Sequence, residues 1–390
     1  MYKIQTLNEI SDIIHSQLSA DQYTVTKDEP VPDAILVRSA DMHAMDLPES
    51  LLAIARAGAG FNNIPVDACS KKGIVVFNTP GANANAVAEL VMAGLLLSSR
   101  DIAGGIQWAN GLKDQGENVP KLVEKGKNQF VGPELRGKTL GVIGLGAVGA
   151  IVANSALNGL NMEVIGLDPF ISVEHAWSLS RAIKRAASME ELLQKSDYVS
   201  IHIPLTPKTT NTCDTSFFNH MKKGARLLNF SRAELVDGEA CRAALASGRL
   251  SGYVTDFPTE DMLNVRGVVC IPHLGASTPE SEENCARMAA AQLRYYLETG
   301  TIRNSVNMPE IVLPGQPEGC RIMLIHDNVP NMVSNMSAAI SREGININNM
   351  LNKSRQEMAI TVMELSQVPT EELIAELNQQ PGVIKVRYWH

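Results

Sequence analysis

The segment Gly144-Leu145-Gly146-Ala147-Val148-Gly149 directly follows the apolar run at 139–143 and opens a stretch with helical spacing. It is the strand before it and the helix after it that make this glycine pattern restrict the fold. The first glycine permits a tight turn, the second lets backbone amides approach a pyrophosphate, and the third allows helix to pack closely on strand. The helix N-terminus adds positive potential at the same place. Asp168 ends the next apolar run, 19 residues after Gly149. An acid there accepts hydrogen bonds from a ribose 2′-hydroxyl and repels a 2′-phosphate. Pro169 and Phe170 follow, with no arginine to invert that preference. NAD, rather than NADP, is the expected cofactor.

Around this motif the chain alternates. Apolar runs at 34–37, 51–55 and 75–77 precede it; others follow at 162–167, 198–201, 225–229, 252–255 and 268–271. Such runs, separated by helical patterns, predict parallel strands covered on both faces in an α/β, doubly wound sheet. Asn78-Thr79-Pro80-Gly81 reads as a turn before a helix over about 86–97, apolar on nearly every side. Such a helix belongs in an interface between domains or subunits. Ser277-Thr278-Pro279-Glu280 opens a later helix with a capping residue, a first-turn proline and an acid, and Gly300 can close it. Residues 304–319, rich in Pro and Gly, read as a linker. From 320 to 390 the order is βαββαβ: strands at 321–325, near Met350, at 358–365 and at 384–387, with helices at 332–342 and 371–379.

Composition excludes several alternatives. The 390 residues carry a net charge of −8, which argues against a nucleic-acid grip built on counterion release. No apolar window approaches the roughly 18 residues needed to span a bilayer, and the N-terminus lacks the apolar core of a signal peptide. A cytoplasmic, soluble protein is expected. The six cysteines (69, 213, 241, 270, 285 and 320) include no C-x-x-C pair, so reduced, mostly buried thiols and no metal cluster are expected.

Three groups fall near the C-terminal ends of later strands, where an open α/β sheet binds its ligands: Arg232, Glu260 and His273. Oxidising an alcohol to a ketone requires a base for the hydroxyl proton, and histidine titrates near working pH. A carboxylate bonded to that imidazole fixes its tautomer, and an arginine can pair bidentately with a substrate carboxylate.

These features resemble the D-2-hydroxyacid dehydrogenase family, and specifically members with a C-terminal ACT domain. The matching segments are VRSA (37–40), RAGAGFNNI (56–64), NTPGANANAVAEL (78–90), ELRGKTLGVIGLGAVG (134–149), HIPLT (202–206), NFSRAELVD (229–237) and PHLGAST (272–278). The resemblance implies two Rossmann-like domains: a discontinuous substrate domain (1–98 and 285–305) and an inserted NAD domain (99–284). A linker (306–318) and an ACT domain (319–390) follow. It implies oxidation of 3-phospho-D-glycerate to 3-phosphooxypyruvate by a homodimer or homotetramer, with no nucleic-acid or membrane partner. Alternatives of the same fold are a glyoxylate or hydroxypyruvate reductase and a non-catalytic NAD(H)-sensing regulator.

By position, Arg232, Glu260 and His273 match the family's catalytic set. Gly144, Gly146, Ala147, Val148, Gly149, Asp168, His202, Pro204 and Thr209 match cofactor positions, as do Phe230, Ser231, Arg232, Asp256, His273 and Gly275. Arg38, Ser39, Ala59, Gly60, Asn83 and Arg232 match substrate positions, with Arg38 at the phosphate end and Arg56 a weaker candidate. Aligned on the glutamate, Thr255 stands where the family has aspartate and Asp256 falls one residue late, so either could meet the nicotinamide. Asp261 competes with Glu260 for His273. In the tail, His326, Asn328 and Asn346 match effector positions that bind L-serine in relatives, whereas Asn331 replaces the usual glycine.

Overall fold

Residues 1–313, 315 and 319–390 are described by the computed structural model; they form two compact units, Met1–Ala82 with Glu282–His390, and Asn83–Ser281. In the first, β1 (Tyr2–Leu7), β2 (Tyr23–Thr26), β3 (Ala34–Val37), β4 (Ala53–Arg56) and β5 (Val75–Phe77) make a parallel sheet in the order β2-β1-β3-β4-β5. Helix α1 (Val66–Lys71) precedes β5. Strand β3 is buried at every position, as its continuous apolar run requires. Strands β1 and β2 occupy the sheet's flank with polar residues interleaved, so they lack such a run. The strand expected at 51–55 starts two residues later, because Leu51 is held in a turn by its N–H to Pro48 O.

The second unit begins with α2 (Ala84–Ser99), α3 (Ile102–Asn110) and α4 (Val119–Gly126). It continues through β6 (Thr139–Ile143), α5 (Ala147–Gly159), β7 (Glu163–Leu167), α6 (Val173–Ser178), β8 (Lys184–Arg185), α7 (Met189–Lys195) and β9 (Tyr198–Ile201). Then come α8 (Thr215–His220), β10 (Ala225–Asn229), α9 (Gly238–Ala246), β11 (Leu250–Thr255) and β12 (Val268–Cys270). The seven parallel strands run β12-β11-β10-β9-β6-β7-β8. Chain direction across the sheet reverses between β6 and β9, the switch point where doubly wound sheets bind ligands beyond their carboxyl ends. The expected boundary at 98/99 lies inside the second compact unit, which starts at Asn83. Helix α2 buries Ala88, Val91 and Leu95 in one core with Val152, Tyr198, Leu228 and Phe230, so it belongs with this sheet.

Thr278 Oγ1 accepts the Ser281 N–H at the start of α10 (Pro279–Thr299), and Gly300 follows it at φ 74°, both as expected. The tail contains β13 (Cys320–Asp327), α11 (Met332–Arg342), β14 (Ile347–Arg355), β15 (Met358–Leu365), α12 (Glu371–Gln379) and β16 (Val383–Trp389). Its antiparallel sheet runs β14-β15-β13-β16. One face carries Ile322 and Leu324 against Met336, Ile340, Leu373 and Leu377. The other places Met323, Ile325, Ile360 and Trp389 in the same core as Leu293, Tyr296 and Phe77. The tail expected as a separate module over 319–390 therefore shares the first unit's core. The expected linker is partly structured: Met308 and Ile311 are buried, and Ile302 pairs with Ile311, while residues 314 and 316–318 lie outside the described ones. All six cysteines are unpaired, five of them buried and Cys270 partly so. No helix among the described residues is long and apolar enough to cross a membrane.

Candidate active site

The glycine turn behaves as its spacing predicts. Gly144 adopts φ 87°, and a side chain there would press on the His202 carbonyl. A Cβ on Gly149 would overlap the Gly144 carbonyl oxygen, so close helix–strand packing demands glycine. Beyond Gly146 the space is open for at least 4 Å, and Ala147 and Val148 begin α5 with no side chain capping it. This is the shape that admits a pyrophosphate. Asp168 accepts the Leu145 N–H at Oδ2 and the Phe170 N–H at Oδ1, both at 2.8 Å. Each oxygen keeps a second lone pair for a ribose hydroxyl.

Neighbouring loops hold themselves in place. His202 is 2.8 Å from Ser200 Oγ, and burial pushes it down to about 4, so it is neutral at pH 7. Thr209 Oγ1 donates to Pro204 O at 2.7 Å and accepts the Thr206 N–H. The Phe230 ring is buried in the core against Gly94, which leaves its backbone for a cofactor. Ser231 Oγ donates to Ile201 O at 2.8 Å. Asn229, fully buried and not singled out from the sequence, donates to Arg232 O and accepts from Ser231 N, which shapes the turn presenting Arg232.

Arg232 and His273 both lie against Phe257: the guanidinium carbon is 5.4 Å from the ring centroid and the imidazole centroid 4.4 Å. Beside them Asp256 is buried, accepting the Gly275 N–H at 3.3 Å through Oδ2 while Oδ1 has no partner among the described residues. Burial raises its pKa, opposed by His273, the Gly275 amide and Arg232. Thr255 Oγ1 accepts the Phe257 N–H at 3.0 Å. Of the two, Asp256 has the oxygen with no partner among the described residues.

Glu260 and Asp261 begin a short 3-10 turn after β11. Asp261 pairs with Arg242, which removes it from competition for the imidazole. Glu260 is exposed, and it makes no ion pair or hydrogen bond with His273 among the described residues. The expected acid–imidazole pair is thus not formed here, because Glu260 sits on an exposed turn while His273 leans on Phe257.

The substrate positions of the first unit form a linked group. Asn8, at φ 72°, accepts the N–H groups of Ser39 and Ala40, an anchor missed in the sequence. Arg38 pairs with Glu282 at 2.5 Å, so its guanidinium is engaged. Arg56 Nε donates to Arg38 O at 3.0 Å. Asn78 Nδ2 donates to Ala59 O at 2.6 Å, orienting the Ala59–Gly60 backbone. Asn83 begins the second unit as the N-cap residue of α2, without a side-chain capping bond.

The tail residues do not converge. His326 is 2% exposed, its ring nitrogens facing Asp327 O and Thr361 Oγ1, and Asn328 donates to Gln356 O. His326 pairs across from Ala359, whereas Asn346 O receives the Ser366 N–H. Those partners lie seven residues apart along the chain, about 23 Å at strand rise. Asn331 adopts φ 69°, the left-handed conformation that favours glycine or asparagine.

Residues 99–275 match the family described as D-isomer specific 2-hydroxyacid dehydrogenase, NAD binding domain. D-3-phosphoglycerate dehydrogenase of Escherichia coli strain K12 is 33% identical over 353 residues, covering 87% of this chain and 82% of that one. The Methanocaldococcus jannaschii protein of the same name is 36% identical over 288 residues, covering 72% of this chain but only 52% of its own length. Among solved structures, the NAD+-bound 3-phosphoglycerate dehydrogenase of Entamoeba histolytica aligns with a TM-score of 0.59 at 27% identity, covering 78% of this chain and 98% of that one. The chain belongs to the D-isomer specific 2-hydroxyacid dehydrogenases, a family of NAD-dependent oxidoreductases. NAD is its cofactor, and the open cradle at Gly146 and the lone pairs of Asp168 fit it.

Proposed function

We propose that the protein oxidises 3-phospho-D-glycerate to 3-phosphooxypyruvate, the step that commits this substrate to serine formation. The observation carrying this reading is the convergence of Arg232 and His273 on one ring beside the buried carboxylate of Asp256. His273 takes the proton of the substrate 2-hydroxyl. Arg232 pairs with the substrate carboxylate through its planar fork and polarises the carbonyl that forms. Asp256 Oδ1 is the acceptor for the nicotinamide carboxamide. Bound NAD supplies the two-electron acceptor. Backbone amides at Ala59 and Gly60 hold the carboxylate, Ser39 and Asn83 line the substrate, and Arg38 serves the phosphate. Glu260 meets the imidazole only after a rearrangement of its exposed turn. Curated relatives bearing the phosphoglycerate dehydrogenase name support this substrate. Following NADH absorbance with phosphorylated and unphosphorylated D-2-hydroxy acids tests it: preference for an unphosphorylated acid would overturn the substrate.

A second reading, an unphosphorylated D-2-hydroxy acid as substrate, draws on the Arg38–Glu282 pair, which a phosphate would have to displace. For the tail, we infer an ACT domain that binds L-serine. The distance between His326 and Asn346 requires a second copy to complete such a site, so a homodimer or homotetramer is part of the proposal. Steady-state rates unaffected by millimolar serine would refute it.

A further inference from the structure

We propose that Phe257 is a positioning residue for the reaction, one ring that sets both the imidazole of His273 and the guanidinium of Arg232. The inference rests on the oxidation reading above for its kinetic consequences, though not for its geometry. Two separate contacts carry it: the imidazole centroid lies 4.4 Å from the Phe257 centroid at a 47° tilt, and the Arg232 guanidinium carbon lies 5.4 Å from it. An aromatic face attracts a guanidinium, and tilted ring pairs are favoured over face-to-face stacks. The backbone beneath is fixed from both sides. Thr255 Oγ1 accepts the Phe257 N–H, and Pro258 restricts the residue before it to extended conformations. Threonine at the end of β11 thereby fixes the backbone from which the ring projects. The ring is only half-buried and borders a cavity of about 160 Å³ lined by Val236, Tyr253 and Met262, so it is not simply a core filler.

The test uses the full chain and three variants. Phe257→Leu and Phe257→Met remove the ring, and Phe257→Tyr keeps it. Loss of the ring is expected to lower kcat about 10- to 100-fold and raise KM for 3-phospho-D-glycerate several-fold, because imidazole and guanidinium are both misplaced. NADH affinity should stay within about twofold, and Phe257→Tyr should return both constants to within about threefold of the parent. In the proton NMR spectrum, the His273 imidazole signal, assigned by its loss in His273→Asn, should shift when the ring current disappears. Should Phe257→Leu fail to fold, Phe257→Met decides. Unchanged kcat and KM in a folded ringless variant, or an unmoved imidazole signal, would overturn the proposal. If the parent oxidises no D-2-hydroxy acid, the oxidation reading fails, and the imidazole signal still decides whether Phe257 holds the ring.

Discussion

Asp256 accepts the backbone N–H of Gly275 through one carboxylate oxygen, while its other oxygen is buried with no partner among the described residues. Such a group costs stability when ionised, and burial raises its pKa. A raised acid favours the protonated native state, so its ionisation destabilises the fold progressively as pH climbs past its unfolded value of 3.8. Asp256→Asn should therefore raise the apo protein's melting temperature at pH 8, and the gain should vanish as pH falls towards 3.8. NADH affinity should fall in the same variant. Thermal scans across pH with a parallel NADH titration measure both, and a variant less stable at pH 8 contradicts the account.

Removing the imidazole tests the proposed base. His273→Asn should lower kcat by about 10²–10⁴-fold, the usual range for a general base, while NADH still binds. Arg232→Lys keeps the charge but loses the planar fork, so its main effect should be on KM for the hydroxy acid. Full activity in His273→Asn would end the proposed mechanism.

The glycine turn separates folding from binding. Gly149→Ala forces a methyl into the Gly144 carbonyl and should cost about 1–3 kcal/mol of stability, as overpacking does. Gly146→Ala meets open space, so stability should hold while NADH affinity drops about tenfold, roughly 1.4 kcal/mol. Denaturant melts and fluorescence titration of the two variants distinguish these effects; equal behaviour would show that the cradle is misassigned.

The Trp389 indole donates to Leu297 O at 2.7 Å and is 7% exposed, in the core shared by the tail sheet and α10. Trp389→Ala should destabilise by about 3–5 kcal/mol, the cost of deleting a buried aromatic. Because the core is shared, β16 and α10 should lose hydrogen-exchange protection together. Loss confined to the tail would argue for an independent module.

Burial pushes the thiols up: Cys69 and Cys320 to about 11, Cys241 to about 12, and Cys213 well above its ordinary value. In the native protein at pH 8, a disulfide reagent should label Cys270 slowly and these four only after unfolding. Mass spectrometry of the labelled peptides gives the answer, and rapid native labelling of Cys213 would contradict it.

What the amino-acid sequence determined by itself is whatever depends on neighbours along the chain. The turn at 144–149, the buried strands, the caps of α10 and the βαββαβ order all follow from local periodicity and backbone freedom. Asp168 was legible for the same reason, since strand and turn lengths place it. Strands β1 and β2 escaped because their apolar alternation is weak, and Asn8 and Asn229 because a side chain that bonds a distant or returning backbone leaves no periodic signal. The remaining questions belonged to tertiary structure. Only packing assigned α2 to the dinucleotide-binding unit and folded the tail into the first unit's core. Only it gave Asp261 to Arg242, left Glu260 on an exposed turn, set Thr255 against the Phe257 N–H, and left one Asp256 oxygen with no partner among the described residues. Hydrogen bonds form between groups that three-dimensional proximity brings together, and one-dimensional spacing cannot say which of two adjacent carboxylates finds its partner first.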